Sequence, residues 1–255
     1  MLGRTRFVRV LIVLIAADSW PALADEPKTP RELLKEAIET YPETPFTSKA
    51  KLSWDGVVRE MTLSHRRVDD QTSGSYLEVT APLNLKGTRF LFLEHKQGRD
   101  DQFIKVPDMH RVLQAGEKQR EEPFLGSDFY VSDMIAPDVD SFELTELSRE
   151  TVAGRECRII EAVPNPSTEW LYGKARYAVQ PDDQLVLRTE YFDKKGNLFK
   201  VWTLDKVEKV NGNWTPYVQR MNNVQQKTES TLELVEIQYG VTLPDEMFTR
   251  SYLER

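Results

Sequence analysis

The sequence predicts a mainly β protein built as one long antiparallel meander. Apolar and polar residues alternate with a period of two along many short segments. Turn sequences separate these segments at the spacing typical of a sheet or barrel, which gives about ten or eleven strands. Helical patterns are nearly confined to residues 30–41 and 120–135. The second of these interrupts the meander, and such a break is where a functional segment is first expected.

The first 24 residues predict a cleaved export signal. Three arginines precede a short apolar run at residues 10–17, and Ala22-Leu23-Ala24 forms a small-x-small cleavage site. The run is far shorter than the ~20 residues needed to cross a bilayer. We therefore expect residues 1–24 to be removed and residues 25–255 to form one soluble domain outside the cytoplasm.

Charge and cysteine content restrict the classes of partner. The net charge is −7, and cleavage would remove three arginines but only Asp18 among the acids. An acidic chain argues against nucleic acid or an anionic lipid surface as the main partner, although a local basic patch could escape this average. Cys157 is the single cysteine, so we expect neither an intrachain disulfide nor a cysteine-based metal cluster.

The predicted elements begin with an amphipathic helix. Thr29 is the expected cap, Pro30 suits the first helical position and Glu32 completes a capping box. An apolar stripe follows, and the helix should end near Tyr41-Pro42. The candidate segments for these ten or eleven strands are residues 46–54, 57–67, 75–80, 88–95, 101–107, 142–147, 156–161, 168–180, 185–192, 198–210, 214–222 and 230–239. A short helical turn at 244–248 should be anchored by Phe248.

The residues that could carry catalysis or bind a metal predict neither an enzyme nor a cofactor. His65, His95 and His110 share no metal-ligand spacing, and exposed or strand-edge positions are expected for them. Cys157 should be a small core-facing residue. Ser127 beside Asp128 lacks a nearby base, so we expect both to have capping or turn roles that hold backbone N–H groups.

Apolar and aromatic side chains in the strands allow two interpretations. They could simply build a core, or they could line the concave face of a long curved sheet that holds an apolar ligand beneath a helical lid. Each buried CH₂ contributes ~0.8 kcal/mol, so one lipid tail could supply about 10 kcal/mol before ordering costs. The predicted lining is Leu52, Trp54, Met61, Leu63, Phe90, Phe92, Trp170 and Trp202.

Several motifs resemble the outer-membrane lipoprotein-sorting protein family with the LolA-like domain. The most specific is Phe124-Leu125-Gly126-Ser127-Asp128-Phe129, followed by Asp133. One departure is Phe103-Ile104-Lys105, where the family often has a Trp-containing segment. The remaining matches are the loop from Pro82 to Lys86-Gly87-Thr88, Asp100-Asp101-Gln102, Val106-Pro107, Arg111, Gly154-Arg155-Glu156-Cys157, the segment from Glu190 to Gly196, and Phe248.

The resemblance implies a curved, incomplete antiparallel barrel with short helices over its open apolar side. It also implies a periplasmic carrier that binds the acyl chains of a lipoprotein or another lipid without catalysis and aids transfer toward the outer membrane; some family members work beside an inner-membrane transporter. We expect a monomer. The motif at residues 124–129 would then be a hinge or cap that seats the lid. The alternative is a periplasmic sensor or transporter accessory that uses the same fold to bind a protein.

Overall fold

The computed structural model describes residues 28–39, 44–96, 100–109, 111–134 and 136–255. The predicted export signal and His110 lie outside this described part. Helix α1 (Pro30–Glu39) begins as predicted, and its predicted end near Tyr41-Pro42 lies outside the described residues. The Thr29 backbone N–H donates to Glu32 Oε2 at 2.8 Å, and the Glu32 N–H donates to Thr29 Oγ1 at 3.3 Å, so the predicted capping box is confirmed. Leu33 and Leu34 anchor the helix in the core.

The described residues form thirteen strands in one antiparallel sheet. The first and last of the long strands, β1 and β13, pair with each other and join two meander halves. The order across the sheet is β6-β5-β4-β3-β2-β1-β13-β12-β11-β10-β9-β8-β7. The bounds are β1 Phe46–Trp54, β2 Val57–Arg67, β3 Thr72–Ala81, β4 Arg89–His95, β5 Asp101–Lys105, β6 Leu113–Gln114, β7 Phe142–Val152, β8 Arg155–Pro164, β9 Lys174–Gln180, β10 Leu185–Phe192, β11 Leu198–Val210, β12 Asn213–Asn223 and β13 Thr228–Tyr239.

Most predicted strands are confirmed, and the differences have local causes. Strand β7 continues five residues beyond its predicted end because it pairs with β8 up to the tight turn at Ala153 and Gly154, both with positive φ. Strand β9 starts at Lys174 rather than at residue 168, since Gly173 lies against the backbone of Asp193 and the preceding residues form a loop. The two-residue strand β6 was not predicted, because so short a segment shows no alternation.

One face of the sheet, here called the inner face, carries a single large hydrophobic cluster. Its buried members come from β1–β4 in one half of the sheet and from β7–β10 and β12 in the other, together with α1 and the connections at residues 124–131, 139 and 172. Residues from both halves can meet in one cluster only because the sheet is strongly curved. The sheet does not close, and β6 and β7 remain its edges. The predicted incomplete antiparallel barrel is therefore confirmed.

The opposite, outer face carries two smaller clusters. In the first, Phe248 and Leu253 pack against Tyr76, Leu91 and Phe103, so Phe248 is the apolar anchor that the sequence predicts. Leu253 belongs to helix α3 (Arg250–Leu253), which follows directly. The second cluster contains Cys157, Ile159, Ala178 and Leu187, which confirms a core-facing cysteine. Helix α2 (Glu117–Arg120) lies between β6 and the segment described next.

Candidate functional site

All eight residues of the predicted lining belong to the inner-face cluster. Leu52, Met61, Phe90 and Phe92 are buried, whereas Trp54, Leu63, Trp170 and Trp202 are half-buried at its margin. Strands β1, β2, β4 and β11 and the loop before β9 bring them together. Sequence alternation placed these side chains on one face, and the curvature of the sheet makes that face a continuous apolar surface. Their contact with a ligand stays a prediction.

Further apolar residues on the inner face were missed by the sequence analysis. Leu232 and Leu234 lie on β13 opposite Leu52 and Ala50 of β1, where the two halves of the sheet meet. Both are half-buried and pack against the inner-face cluster. Their period-two spacing in β13 was the available signal. They widen the candidate lining from two separate patches to a surface that crosses the centre of the sheet.

A segment at residues 122–134, here called the crossing segment, spans the inner face between the two halves. The Phe124 ring lies 5.0 Å from that of Phe90 in β4, measured between centroids. The Phe129 ring meets Trp202 of β11 edge-on at 5.7 Å. Phe124 and Phe129 are both buried. The crossing segment consists of irregular backbone and short 3-10 helices, and its role as a hinge or cap that seats a lid stays a prediction.

Backbone geometry explains the central motif of the crossing segment. Leu125 and Gly126 have φ values of 53° and 88°, in the left-handed region that favours glycine. A Cβ at position 126 would lie 3.4 Å from Trp54 Cζ2, so the chain passes close over this predicted lining residue. Ser127 Oγ donates to Phe124 O at 2.8 Å and accepts the Phe129 N–H at 3.2 Å, which confirms its turn role.

Asp128 has a different role from the one predicted. Its carboxylate accepts hydrogen bonds from Thr228 Oγ1 at 2.6 Å and from Ser230 Oγ at 2.7 Å, both on β13. The Asp128 N–H donates back to Ser230 Oγ at 2.8 Å. The prediction that this side chain holds backbone N–H groups was wrong, because two hydroxyls about a hundred positions away provide its partners. Asp128 fastens the crossing segment to the sheet.

A buried lysine provides a second fastening point that the sequence analysis missed. Lys200 of β11 is fully buried; its Nζ donates to Asp128 O at 2.6 Å and lies 3.8 Å from Asp133 Oδ2. The same Nζ lies 3.0 Å from the centroid of the Tyr130 ring. Asp133 accepts from the Tyr130 N–H and the Tyr172 hydroxyl, each at 2.7 Å. We call Lys200, Asp128 and Asp133 the lysine anchor.

Electrostatics fit this anchoring role. Burial lowers the pKa of Lys200 to about 8, while the carboxylates of Asp133 and Asp128 oppose the change. Burial likewise raises the pKa of Asp133, against the effect of Lys200. Each charge therefore depends on the other to remain ionised inside the protein.

The two described histidines occupy structural positions. His65 is buried, so its prediction as exposed or at a strand edge was wrong; its Nδ1 lies 2.9 Å from Ser75 Oγ and its ring stacks on Phe46 of β1. Burial lowers the pKa of His65 to about 4. His95 ends β4, with Nε2 3.3 Å from Asp101 Oδ2. Within the described ranges, no group of three or more His, Cys, Asp or Glu residues is placed to hold a metal ion.

A depression of about 640 Å³ lies on the outer face, away from the predicted lining. Val201 and Thr203 of β11 contribute to it, on the side of the strand opposite Trp202. Arg220 at this site is already paired with Asp205 and with Glu229. Charged side chains, Arg220, Lys227 and Glu229, line this depression, whereas the predicted lining on the inner face is aliphatic and aromatic. None of the helices in the described part is long and apolar enough to cross a membrane.

The open half-barrel is a fold that this chain shares with several solved structures. It is similar to a domain from Vibrio parahaemolyticus provisionally described as an outer membrane lipoprotein-sorting protein, with a TM-score of 0.80, 21% identity, and coverage of 89% of this chain and 98% of that one. A DUF1329 family protein from Desulfovibrio piger has a TM-score of 0.80 and 23% identity, with coverage of 88% and 97%. A LolA superfamily protein from Nitrosomonas europaea has a TM-score of 0.67 and 17% identity, with coverage of 89% and 100%.

The fold is therefore LolA-like, and the resemblance found in the sequence motifs is confirmed at this level. Residues 71–255 match the model of a protein family described as "Uncharacterized protein", and the chain belongs to that family. The match spans the crossing segment and most of the sheet, from the start of β3 to the end of the chain. Among curated proteins, no sequence matches this chain.

Proposed function

We propose that residues 25–255 form a periplasmic carrier that shields acyl chains of a lipoprotein or another lipid against the inner face. The observation that carries this proposal is the continuous apolar surface that both halves of the sheet contribute, with half-buried aromatic and aliphatic side chains at its margin. A core alone would bury these side chains more completely. An acyl chain that binds such a surface exchanges contact with water for contact with apolar side chains, and this exchange is favourable.

The crossing segment fits a carrier because it covers the apolar face without closing the sheet. Phe124 and Phe129 occupy the inner face, while Trp54 and Trp202 beside them stay half-buried. An acyl chain would contact these half-buried side chains first. Each CH₂ it buries contributes ~0.8 kcal/mol, so a chain of ordinary length gains enough to bind even after ordering costs.

The same geometry supports a role without catalysis. The Ser127 hydroxyl is held between the backbone of Phe124 and that of Phe129, and the Asp128 carboxylate accepts two hydroxyls from β13. A nucleophilic serine needs a base within hydrogen-bond reach, and the carboxylate of its neighbour is committed elsewhere. Both residues serve the shape of the crossing segment. Transfer of the cargo toward the outer membrane would follow from binding alone.

A fluorescent fatty acid tests the proposal on the chain from residue 25. We expect Leu63→Asp, which places a charge on the inner face of β2, to weaken binding by about tenfold or more. Val58 lies on the other face of β2 and is 48% exposed, so Val58→Asp is a matched control with unchanged binding. Equal affinities for the two variants, or no lipid in organic extracts of the purified protein, would contradict the proposal.

A protein-binding role is the second candidate, and the edge of the sheet favours it. Strand β7 is eleven residues long and has β8 as its only partner in the described part of the chain. A free edge of this length can accept a strand from another protein, such as an inner-membrane transporter. Crosslinking in the periplasm separates the two candidates, because a stable protein partner together with an empty inner face favours the second.

A further inference from the structure

The loop between β3 and β4 holds one leucine fully outside the fold. Leu83 is 88% exposed, more than any other large hydrophobic residue in the described ranges. Backbone hydrogen bonds hold the loop in a defined turn: the Leu85 and Lys86 N–H groups both donate to Pro82 O at 3.0 Å, and the Gly87 N–H donates to Val79 O at 2.9 Å. A single exposed apolar residue is ordinary. A leucine presented by an ordered turn loses little entropy on binding. The chemistry of the neighbouring residues then indicates what kind of partner it would contact.

A second loop extends the apolar surface around Leu83. A Cβ built on Gly87 would lie 3.5 Å from Pro107 Cγ, so the loop after β5 lies directly against the first. Pro107 is exposed, and Met109 is 36% exposed. We call residues 82–88, 105–109 and 111 the loop tip. The loop tip thus presents apolar side chains from two neighbouring loops.

The charge of the loop tip is opposite to that of the whole chain. It contains three basic residues, Lys86, Lys105 and Arg111, against a single acid, Asp108. The chain as a whole carries −7. Lys86 and Arg111 are exposed, whereas Lys105 Nζ donates to the Met109 carbonyl and so ties the second loop in place. This is the local basic patch that the average charge of the sequence conceals.

The loop tip is continuous with the inner face. Leu85, two residues after the exposed Leu83, packs against the inner-face cluster. The same short loop therefore has one leucine in the candidate lipid-binding surface and one in solvent. Whatever surface Leu83 contacts would lie next to the margin of the inner face.

We propose that the loop tip docks on the surface of a membrane that contains anionic lipid. Leu83 and Met109 would enter the headgroup region, while Lys86 and Arg111 would contact lipid phosphates. The exposed apolar area comes from a few side chains only, which is far less than the roughly 800 Å² that each partner buries in a stable protein interface. An amphipathic basic tip of this size suits a reversible membrane contact. The inference rests on the proposed carrier function, because it places the margin of the inner face beside the membrane that supplies or receives the cargo.

Sedimentation with vesicles tests the docking surface on the chain from residue 25. We expect binding to vesicles of phosphatidylethanolamine and phosphatidylglycerol, and much weaker binding to vesicles of phosphatidylcholine alone. Leu83→Asp should weaken the first by about tenfold or more, and Lys86→Glu by about fivefold or more, with further weakening at high salt. Val235→Asp introduces the same charge at a site 45% exposed on β13, and should bind like the unchanged protein.

Two comparisons keep this inference separate from the carrier proposal. Leu83→Asp should still bind the fluorescent fatty acid in solution, whereas Leu63→Asp should lose the fatty acid but still sediment with anionic vesicles. Circular dichroism confirms that each variant is folded. Equal vesicle binding by Leu83→Asp and Val235→Asp, or no preference for the anionic vesicles, would overturn the docking surface. Loss of a crosslinked protein partner in Leu83→Asp with vesicle binding unchanged would overturn it in favour of a protein.

Discussion

At the scale of single residues, Lys200 of β11 is the side chain that most directly holds the crossing segment to the sheet. Its ammonium group is fully enclosed, with the Asp128 carbonyl, the Asp133 carboxylate and the Tyr130 ring as partners. Removing one member of a buried charge pair leaves the other charge without compensation, which costs much more than an exposed ion pair contributes. The lysine anchor therefore links the crossing segment energetically to β11.

We expect Lys200→Met to lower the free energy of unfolding by roughly 3 kcal/mol, because Asp133 stays buried without its cation. Urea denaturation measures this change. Lys206 lies on the same strand and is exposed, so Lys206→Met should change the free energy by less than about 0.5 kcal/mol. Adding Asp133→Asn to Lys200→Met should restore part of the loss. A Lys200→Met variant as stable as Lys206→Met would contradict an energetic role for the anchor.

Sequence patterns could predict the apolar lining but not the lysine anchor. Alternation in β1 and β2 is enough to place Leu52, Trp54 and Leu63 on one face, because strand geometry alone decides it. The same alternation places Lys200 on the inner face, but it does not predict the partner of the ammonium group, because the Asp128 carbonyl is 72 positions away. His65 was likewise misplaced because its burial depends on Phe46 of a neighbouring strand. Long-range pairing of polar groups leaves no local signal.

At the scale of elements, the position of the crossing segment is explained by ring contacts and by polar bonds between distant residues. The motif at residues 124–129 was expected to be a hinge or cap that seats a lid; its rings contact Phe90 and Trp202 on the inner face, and the lid role stays a prediction. Its attachment to β13 through Asp128 could not be foreseen, because Ser230 is 102 positions away. Similarly, β7 was predicted too short because its distal half is polar and is specified by pairing with β8.

Ser230→Ala should loosen the crossing segment locally. The Ser230 hydroxyl donates to Asp128 Oδ2 at 2.7 Å and accepts the Asp128 N–H at 2.8 Å, so its removal leaves two buried polar groups unsatisfied. We expect a loss of about 1–3 kcal/mol, with faster hydrogen exchange at the amides of Phe124 and Phe129. The amide of Leu33 in α1 should exchange as before. Uniform acceleration across the protein would instead indicate global destabilisation rather than a local fastening role.

At the scale of the whole molecule, one sheet of thirteen strands in the described part makes folding depend on distant pairing. Strands β1 and β13 pair although nearly the whole domain separates them in sequence. The inner-face cluster then joins both halves through the crossing segment. The two halves share one core and one sheet, so we infer that they unfold together. The pH dependence of unfolding should then report buried titratable groups from either half.

Glu94 of β4 gives the last prediction. Burial raises its pKa to about 8, the Asp100 carboxylate adds to this, and a backbone hydrogen bond from Ala136 opposes it. The folded protein thus holds a proton that the unfolded chain releases near pH 4.5, so this contribution to stability is complete below pH 4.5 and is lost as the pH rises to about 8.

His65 acts with the opposite sign, since its pKa is lowered to about 4 and its contribution is lost only below pH 6.5. Between pH 6.5 and about 7.5 the His65 contribution is constant and Lys200, whose pKa is lowered to about 8, is still mostly protonated, so urea denaturation should show stability falling with pH. Glu94→Gln should remove about 1 kcal/mol per pH unit from that slope. Glu60 is exposed on β2, so Glu60→Gln should leave the slope unchanged, and equal slopes for both variants would show that Glu94 does not hold the proton.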